Sequence, residues 1–201
     1  MATILWLLPV TFAQGIAIFY PGVLVFWLIM HNNIRRLRAF GTRAYWVAAM
    51  AWLVTSGPLL FFRREIFSVR WMMSGAVNGV FIACGIIASL FAVALYSQAA
   101  KQIPLRTMIG LPEIDPHKNR QPVLNSGIYS KTRNPIYLAH WLLVFSAAAL
   151  AHFAANWVLF ALDCIVLPLL IRAEERELLA RYGSEFAAYM RRVPRFFPQL
   201  R

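Results

Sequence analysis

Acidic residues are scarce in this chain, with eight Asp and Glu against twenty Lys and Arg among 201 residues. Cysteine is scarcer still, and Cys84 and Cys164 each lie inside an apolar run without metal-ligand spacing. A disulfide scaffold is therefore not expected, and both thiols read as small core hydrophobes. No Gly-rich phosphate loop, GxGxxG, GxSxG or HExxH occurs, so a Rossmann cofactor fold and the common hydrolase sites are excluded. His117 has no second ligand at metal spacing, and no metal site is expected from the sequence.

Long apolar runs are abundant. Sixty per cent of residues are hydrophobic, and several runs approach the roughly 20 residues that cross a bilayer core. The expected fold is all-α: one polytopic membrane domain over 1–201 with about five transmembrane helices. Residues 1–96 supply three N-terminal spans, from the runs Ile4–Met30, Tyr45–Phe62 and Trp71–Tyr96. Residues 97–201 supply a proline-rich polar loop (97–135), a helical hairpin (136–171, broken near 151–156) and an amphipathic tail that ends at the interface. Segment 31–43 reads as a polar connection. Leu178, Leu179, Tyr182, Phe186 and Tyr189 recur at helical spacing, which predicts one amphipathic helix lying on the bilayer or on the protein. The N-terminus lacks a basic n-region and a clear cleavage pattern, so its first run reads as a retained helix.

The cations are unevenly placed. Segments 31–44, 97–135 and 172–201 hold seventeen Lys and Arg, while the opposite side would hold only Arg63, Arg64 and Arg70. The positive-inside rule then puts the C-terminus and the proline-rich loop in the cytoplasm and the N-terminus outside. Cations grouped at the ends of apolar segments fit topology and membrane lipids, and nucleic-acid binding is not expected. The expected place is a bacterial inner membrane.

The stretch "GIYSKTRNPIYL" (127–138) and the later "IRAEERELL" (171–179) concentrate chemistry at that border. Glu174 and Glu175 read either as a solvated helix turn or as carboxylates that need a ligand, because charge at a membrane edge is costly unless partnered. Asp163, within the fifth run, is either functional or a capping and pairing group. His140, one turn into the fourth span on the face of Tyr137, either lines a pocket or is a satisfied structural residue.

Taken together, Gly127, Tyr129, Arg133-Asn134-Pro135, Tyr137, a hairpin, Glu174-Glu175, Gly183, Tyr189 and Val193-Pro194 carry a resemblance. In order and spacing they resemble the isoprenylcysteine carboxyl methyltransferase and phospholipid methyltransferase superfamily over about residues 95–198. That resemblance implies an integral membrane enzyme using S-adenosylmethionine, with a cytoplasmic pocket built from the loop, hairpin ends and tail. Glu174 or Glu175 would hold the cofactor's ammonium, and Arg133 or backbone donors its carboxylate. Leu124, Tyr129 and Tyr137 would wall the adenosine, with Asn134 and His140 beside them, and Arg172 with Glu175 would orient the acceptor as the catalytic pair. The acceptor would be a lipophilic or small molecule reached from the bilayer. Asn134 stands where the prenylcysteine enzymes carry His, which resembles the wider bacterial and phospholipid-methylating branch. An NADPH-dependent membrane reductase of the steroid-reductase type and a non-catalytic membrane protein of the same fold are the competing readings.

Overall fold

The computed structural model describes residues 2–71, 74–119 and 121–197. The last residues of the expected interfacial tail, 198–201, lie outside the described residues. Among the described residues nine α-helices follow one another: α1 (Ala2–Phe40), α2 (Tyr45–Phe61), α3 (Arg63–Ile66), α4 (Gly75–Ala100), α5 (Leu105–Met108), α6 (Leu111–Ile114), α7 (Pro135–Ala151), α8 (Ala154–Tyr182) and α9 (Ser184–Arg192). Among the described residues there is no strand, only an isolated bridge between Arg70 and Phe153. The chain is an all-helical membrane protein. Leu7–Phe61, which takes in both α1 and α2, together with Gly75–Ala100 and Ala154–Tyr182, is long and apolar enough to cross a bilayer. Helix α7 is apolar but has only 17 residues.

Small residues set the closest packing. A Cβ on Gly85 of α4 would press into Leu150 and Ala149 of α7. The Ser146 hydroxyl donates to the Gly85 carbonyl at 2.9 Å and lies 2.5 Å from the Ser89 hydroxyl. With lipid on the outside, such close approach and interhelical hydrogen bonds hold helices together where a hydrophobic driving force is missing. Helix α1 crosses behind, tied to α8 by Asn156 Nδ2 on the Ala13 carbonyl (2.9 Å) and by the Tyr20 hydroxyl on Asp163 (3.2 Å). Asp163 is thus a fully buried, paired group. The outer side of α4 presents Val80, Ile86, Ile87, Leu90 and Phe91, the pattern of a helix that meets lipid.

Several boundaries differ from the sequence expectation. Residues 31–40 continue α1 as helix instead of forming a polar connection, with non-helical torsions at Asn33 (φ −121°, ψ 16°). The amides of Asn32 and Asn33 bond the carbonyls of Leu28 and Ile29, side-chain competition that bends helices. Residues 67–71 are not helical: the Trp71 amide donates to the His152 carbonyl and the Ala154 amide to the Val69 carbonyl, which locks this connector onto the hairpin turn. The hairpin break falls at 152–153, as expected, with His152 in the left-handed region. The C-terminal amphipathic helix is two pieces, because α8 runs on to Tyr182 and Gly183 (φ +57°) separates it from α9. Phe186 and Tyr189 of α9 are buried against Val123, Leu178 and Tyr182, so this face packs on protein. Cys84 and Cys164 are free and exposed, not core residues.

Candidate functional site

The proline-rich loop meets the tail at the foot of α7. Asn134 is non-helical (φ −125°, ψ 55°) and Pro135 opens the helix, where a missing N–H costs nothing and φ is already suitable. Just before it, Gly127 (φ +52°) starts a tight turn over 127–130, and a Cβ there would run into the Gln102 amide. Thr132, Arg133 and Asn134 then zip against the tail. The Thr132 hydroxyl and the Asn134 amide both donate to the Arg195 carbonyl, and the Arg133 amide donates to the Pro194 carbonyl. The Tyr189 hydroxyl donates to the Tyr129 carbonyl at 2.7 Å.

One ion cluster clamps these segments. Arg133 donates through Nε and Nη2 to Glu175 at 3.1 and 2.9 Å, and through Nη1 to the carbonyls of Met190 and Val193 at 2.8 and 2.6 Å. Arg195 takes the other Glu175 oxygen at 2.5 Å. Both oxygens of Glu175 and all the donor nitrogens of Arg133 are engaged inside the protein. A second cluster joins Glu177 to Arg38 of α1 and to Arg181 one turn along α8 (3.0 Å), while Arg181 also donates to the Pro112 carbonyl.

Between the clamps lies a cavity of about 370 Å³, within the range of about 300–1,000 Å³ typical of small-molecule sites. Leu124, Tyr129, Arg133, Asn134, Tyr137, His140, Glu174 and Glu175, the eight residues expected at a cofactor pocket, all reach its wall. His140 sits among the rings of Tyr20, Tyr96 and Tyr137 at 5.4–6.3 Å. At the end nearest α6, Glu113 Oε2 and Glu174 Oε2 are buried without a hydrogen-bond partner. Burial, with the charges of Glu174 and Glu177 adding to it, holds the Glu113 carboxyl well above the ordinary carboxylate range, against the smaller opposing effect of Arg181 and Arg38. Burial likewise pushes the Tyr129 and Tyr189 hydroxyls up. The arrangement suits a ligand that brings positive charge to the carboxylates and apolar or aromatic surface to the tyrosine walls.

Three expected roles change. Glu175 is saturated by two guanidiniums, so of the Glu174–Glu175 pair only Glu174 can take a ligand's ammonium. Arg133 is spent on Glu175 and the tail, so it positions the wall and does not grip a carboxylate. Arg172 is exposed and absent from the cavity wall that Glu175 reaches, so the structure does not bring the expected catalytic pair together at the cavity. Among the described residues Glu175 pairs with Arg133 and Arg195, and neither Arg172 nor Arg176 forms an ion pair with Glu174 or Glu175.

His31, Glu113, Glu177, Arg181 and Arg195 join the site beyond the residues expected there. For two of them a signal existed: positions 174, 177, 178 and 181 recur at helical spacing and share one face of α8. For His31 and Glu113, 82 residues apart on α1 and α6, no local pattern announces the meeting.

Over 84 residues the chain is 34% identical to the cobalt-zinc-cadmium resistance protein CzcN of Cupriavidus metallidurans, covering 41% of this chain and 38% of that protein. Over 79 residues it is 33% identical to the nickel-cobalt-cadmium resistance protein NccN of Alcaligenes xylosoxydans xylosoxydans, 39% of this chain and 37% of that one. The matched stretch thus spans under two fifths of the length of these curated relatives. No profile of a known protein family matches the chain, and no solved structure matches it.

Proposed function

We propose that this chain is an integral membrane methyltransferase that moves a methyl group from S-adenosylmethionine to a lipophilic or small acceptor, a carboxylate, thiol or amine, reached from the bilayer. The observation that carries this reading is the cavity, where aromatic walls and an unpaired buried carboxylate, Glu174, converge beside the clamped loop and tail. The residues fit the cofactor: Glu174 would hold its ammonium, Tyr129, Tyr137 and Leu124 would flank the adenosine, and the unpaired Nε of Arg181 on the same wall would take its carboxylate. When bound, the cofactor supplies an activated methyl on a sulfonium that is transferred in line to the acceptor. The chain's own part is positioning and exclusion of water. Arg133, Glu175 and Arg195 hold the loop and tail so that these walls stay in place.

In the proposed arrangement α1, α2, α4, α7 and α8 make five crossings, with α7 the shortest. Seventeen basic residues on one side put the cavity and C-terminus in the cytoplasm and the N-terminus outside, in a bacterial inner membrane. The test is a titration of purified protein in detergent with S-adenosylhomocysteine and, separately, NADPH, followed by transfer of labelled methyl groups to a lipid extract. Binding of S-adenosylhomocysteine that Glu174→Gln weakens supports the reading. Tight NADPH binding without it would establish the reductase alternative instead. The relatives' names favour a second reading, a non-catalytic membrane component of metal resistance. A labelled product from the lipid extract would rule that out.

A further inference from the structure

His31 lies in α1 just before the non-helical torsions at Asn33, with its side chain fully buried and its ring stacked on Trp27 at 5.3 Å between centroids. Its two nitrogens face different carboxylates: Nδ1 is 3.3 Å from Glu113 Oε2, and Nε2 is 3.9 Å from Glu174 Oε2 and 3.4 Å from the Tyr137 hydroxyl. His31 Nδ1, Glu113 Oε2 and Glu174 Oε2 are all buried without a hydrogen-bond partner. Each of the three residues offers a ligand atom within 4.8 Å of the others. Tetrahedral ligands about 2.1 Å from one ion lie about 3.4 Å apart, so closing on an ion asks for side-chain movements of up to about 1 Å.

The nearby guanidiniums answer these carboxylates only in part. Arg38 and Arg181 spend their charge on Glu177, and Arg38 reaches Glu113 only at its backbone carbonyl. Two carboxylates brought together out of water without a cation are costly. A dication removes that cost, which a single ammonium does only in part.

We propose that His31, Glu113 and Glu174 form a divalent-cation site at the α6 end of the cavity. One imidazole and two carboxylates suit a borderline first-row ion such as zinc, cobalt or nickel, and the absence of thiolate disfavours copper(I). The stacked Trp27 and the Tyr137 hydroxyl fix the imidazole from outside the ligand set, as partners of ligating histidines commonly do. Three protein ligands leave a coordination position open toward the cavity, and Glu113 and Glu174 both line it. The site goes beyond the methyl-transfer reading but shares Glu174 with it, so an ion and a cofactor ammonium would compete for that carboxylate and each is measured without the other.

Tag-free, full-length protein in detergent tests it, titrated with zinc or cobalt in the absence of cofactor. S-adenosylhomocysteine is titrated separately in the presence of a chelator, so that each proposal fails on its own measurement. One ion per chain is expected, with affinity weakened at least about tenfold in His31→Gln and in Glu113→Gln and unchanged in His117→Ala, which alters an exposed loop histidine. Should those two variants fail to fold, X-ray absorption on the zinc-loaded native chain decides: one imidazole with oxygen ligands is expected. No binding up to about 1 mM ion, equal affinity in His31→Gln and Glu113→Gln, loss in His117→Ala, or a shell with two imidazoles or a thiolate would each overturn it.

Discussion

Glu174 and Glu175 are neighbours in sequence and opposites in surroundings. Glu175 meets two guanidiniums and has no oxygen left for a ligand. Glu174, turned about 100° around the same helix, faces the cavity with one oxygen unpartnered beside His31 and Glu113. The first region is a clamp that fixes loop, hairpin and tail, and the second is the cavity where a ligand is proposed to bind. The difference teaches that a doubled acidic motif within one helix can divide its labour by angle alone.

Breaking the clamp should have the largest effect. Arg133→Ala removes both links to one Glu175 oxygen and two links to tail carbonyls, and is expected to cost about 3–5 kcal/mol, as removal of one partner from a buried pair does. Thermal or denaturant unfolding in detergent measures it, and a loss below about 1 kcal/mol would reduce the clamp to a surface ion pair. Next comes the turn that feeds it. Gly127→Ala places a side chain at positive φ against Gln102 and should cost about 1–3 kcal/mol, whereas an unchanged melting temperature would show the 127–130 turn to be adaptable.

The ligand side should respond in the opposite sense. Glu174→Gln is expected to leave stability unchanged or raised, since it replaces an unpaired buried carboxylate by a neutral group of the same shape. It should weaken S-adenosylhomocysteine by about tenfold or more. If instead it unfolds the protein like Arg133→Ala, the contrast between the two glutamates is wrong. The smallest effect is expected at Arg172→Ala, on the exposed side of α8, with stability within about 0.5 kcal/mol and cofactor affinity unchanged. A loss of affinity there would place Arg172 at the cavity after all.

Much of the fold was legible in the sequence because the bilayer imposes a simple length and polarity rule. The apolar runs became α1, α2, α4, α7 and α8, and the break before Ala154 fell where polar and small residues interrupt the hairpin. Boundaries were misjudged where polar sequence stays helical, as from His31 to Phe40, or where apolar sequence is captured by a connector, as at Trp71. The eight pocket residues came from one resemblance and all reach one cavity, but their roles did not come with them. Arg133 and Glu175 carried the right chemistry for a ligand and spend it on each other.

The sequence by itself determined which segments are apolar helices, which segments carry the positive charge, and that Gly127 and Pro135 frame a turn into a helix. These follow from local properties: hydropathy, charge, and backbone freedom residue by residue. Only the tertiary structure decided which glutamate is free, that Arg172 faces away, and that His31 and Glu113 meet Glu174. Those outcomes depend on the rotation of α8 and on how α1 and α6 pack beside it, and side chains dozens of residues apart become neighbours only once the helices have docked.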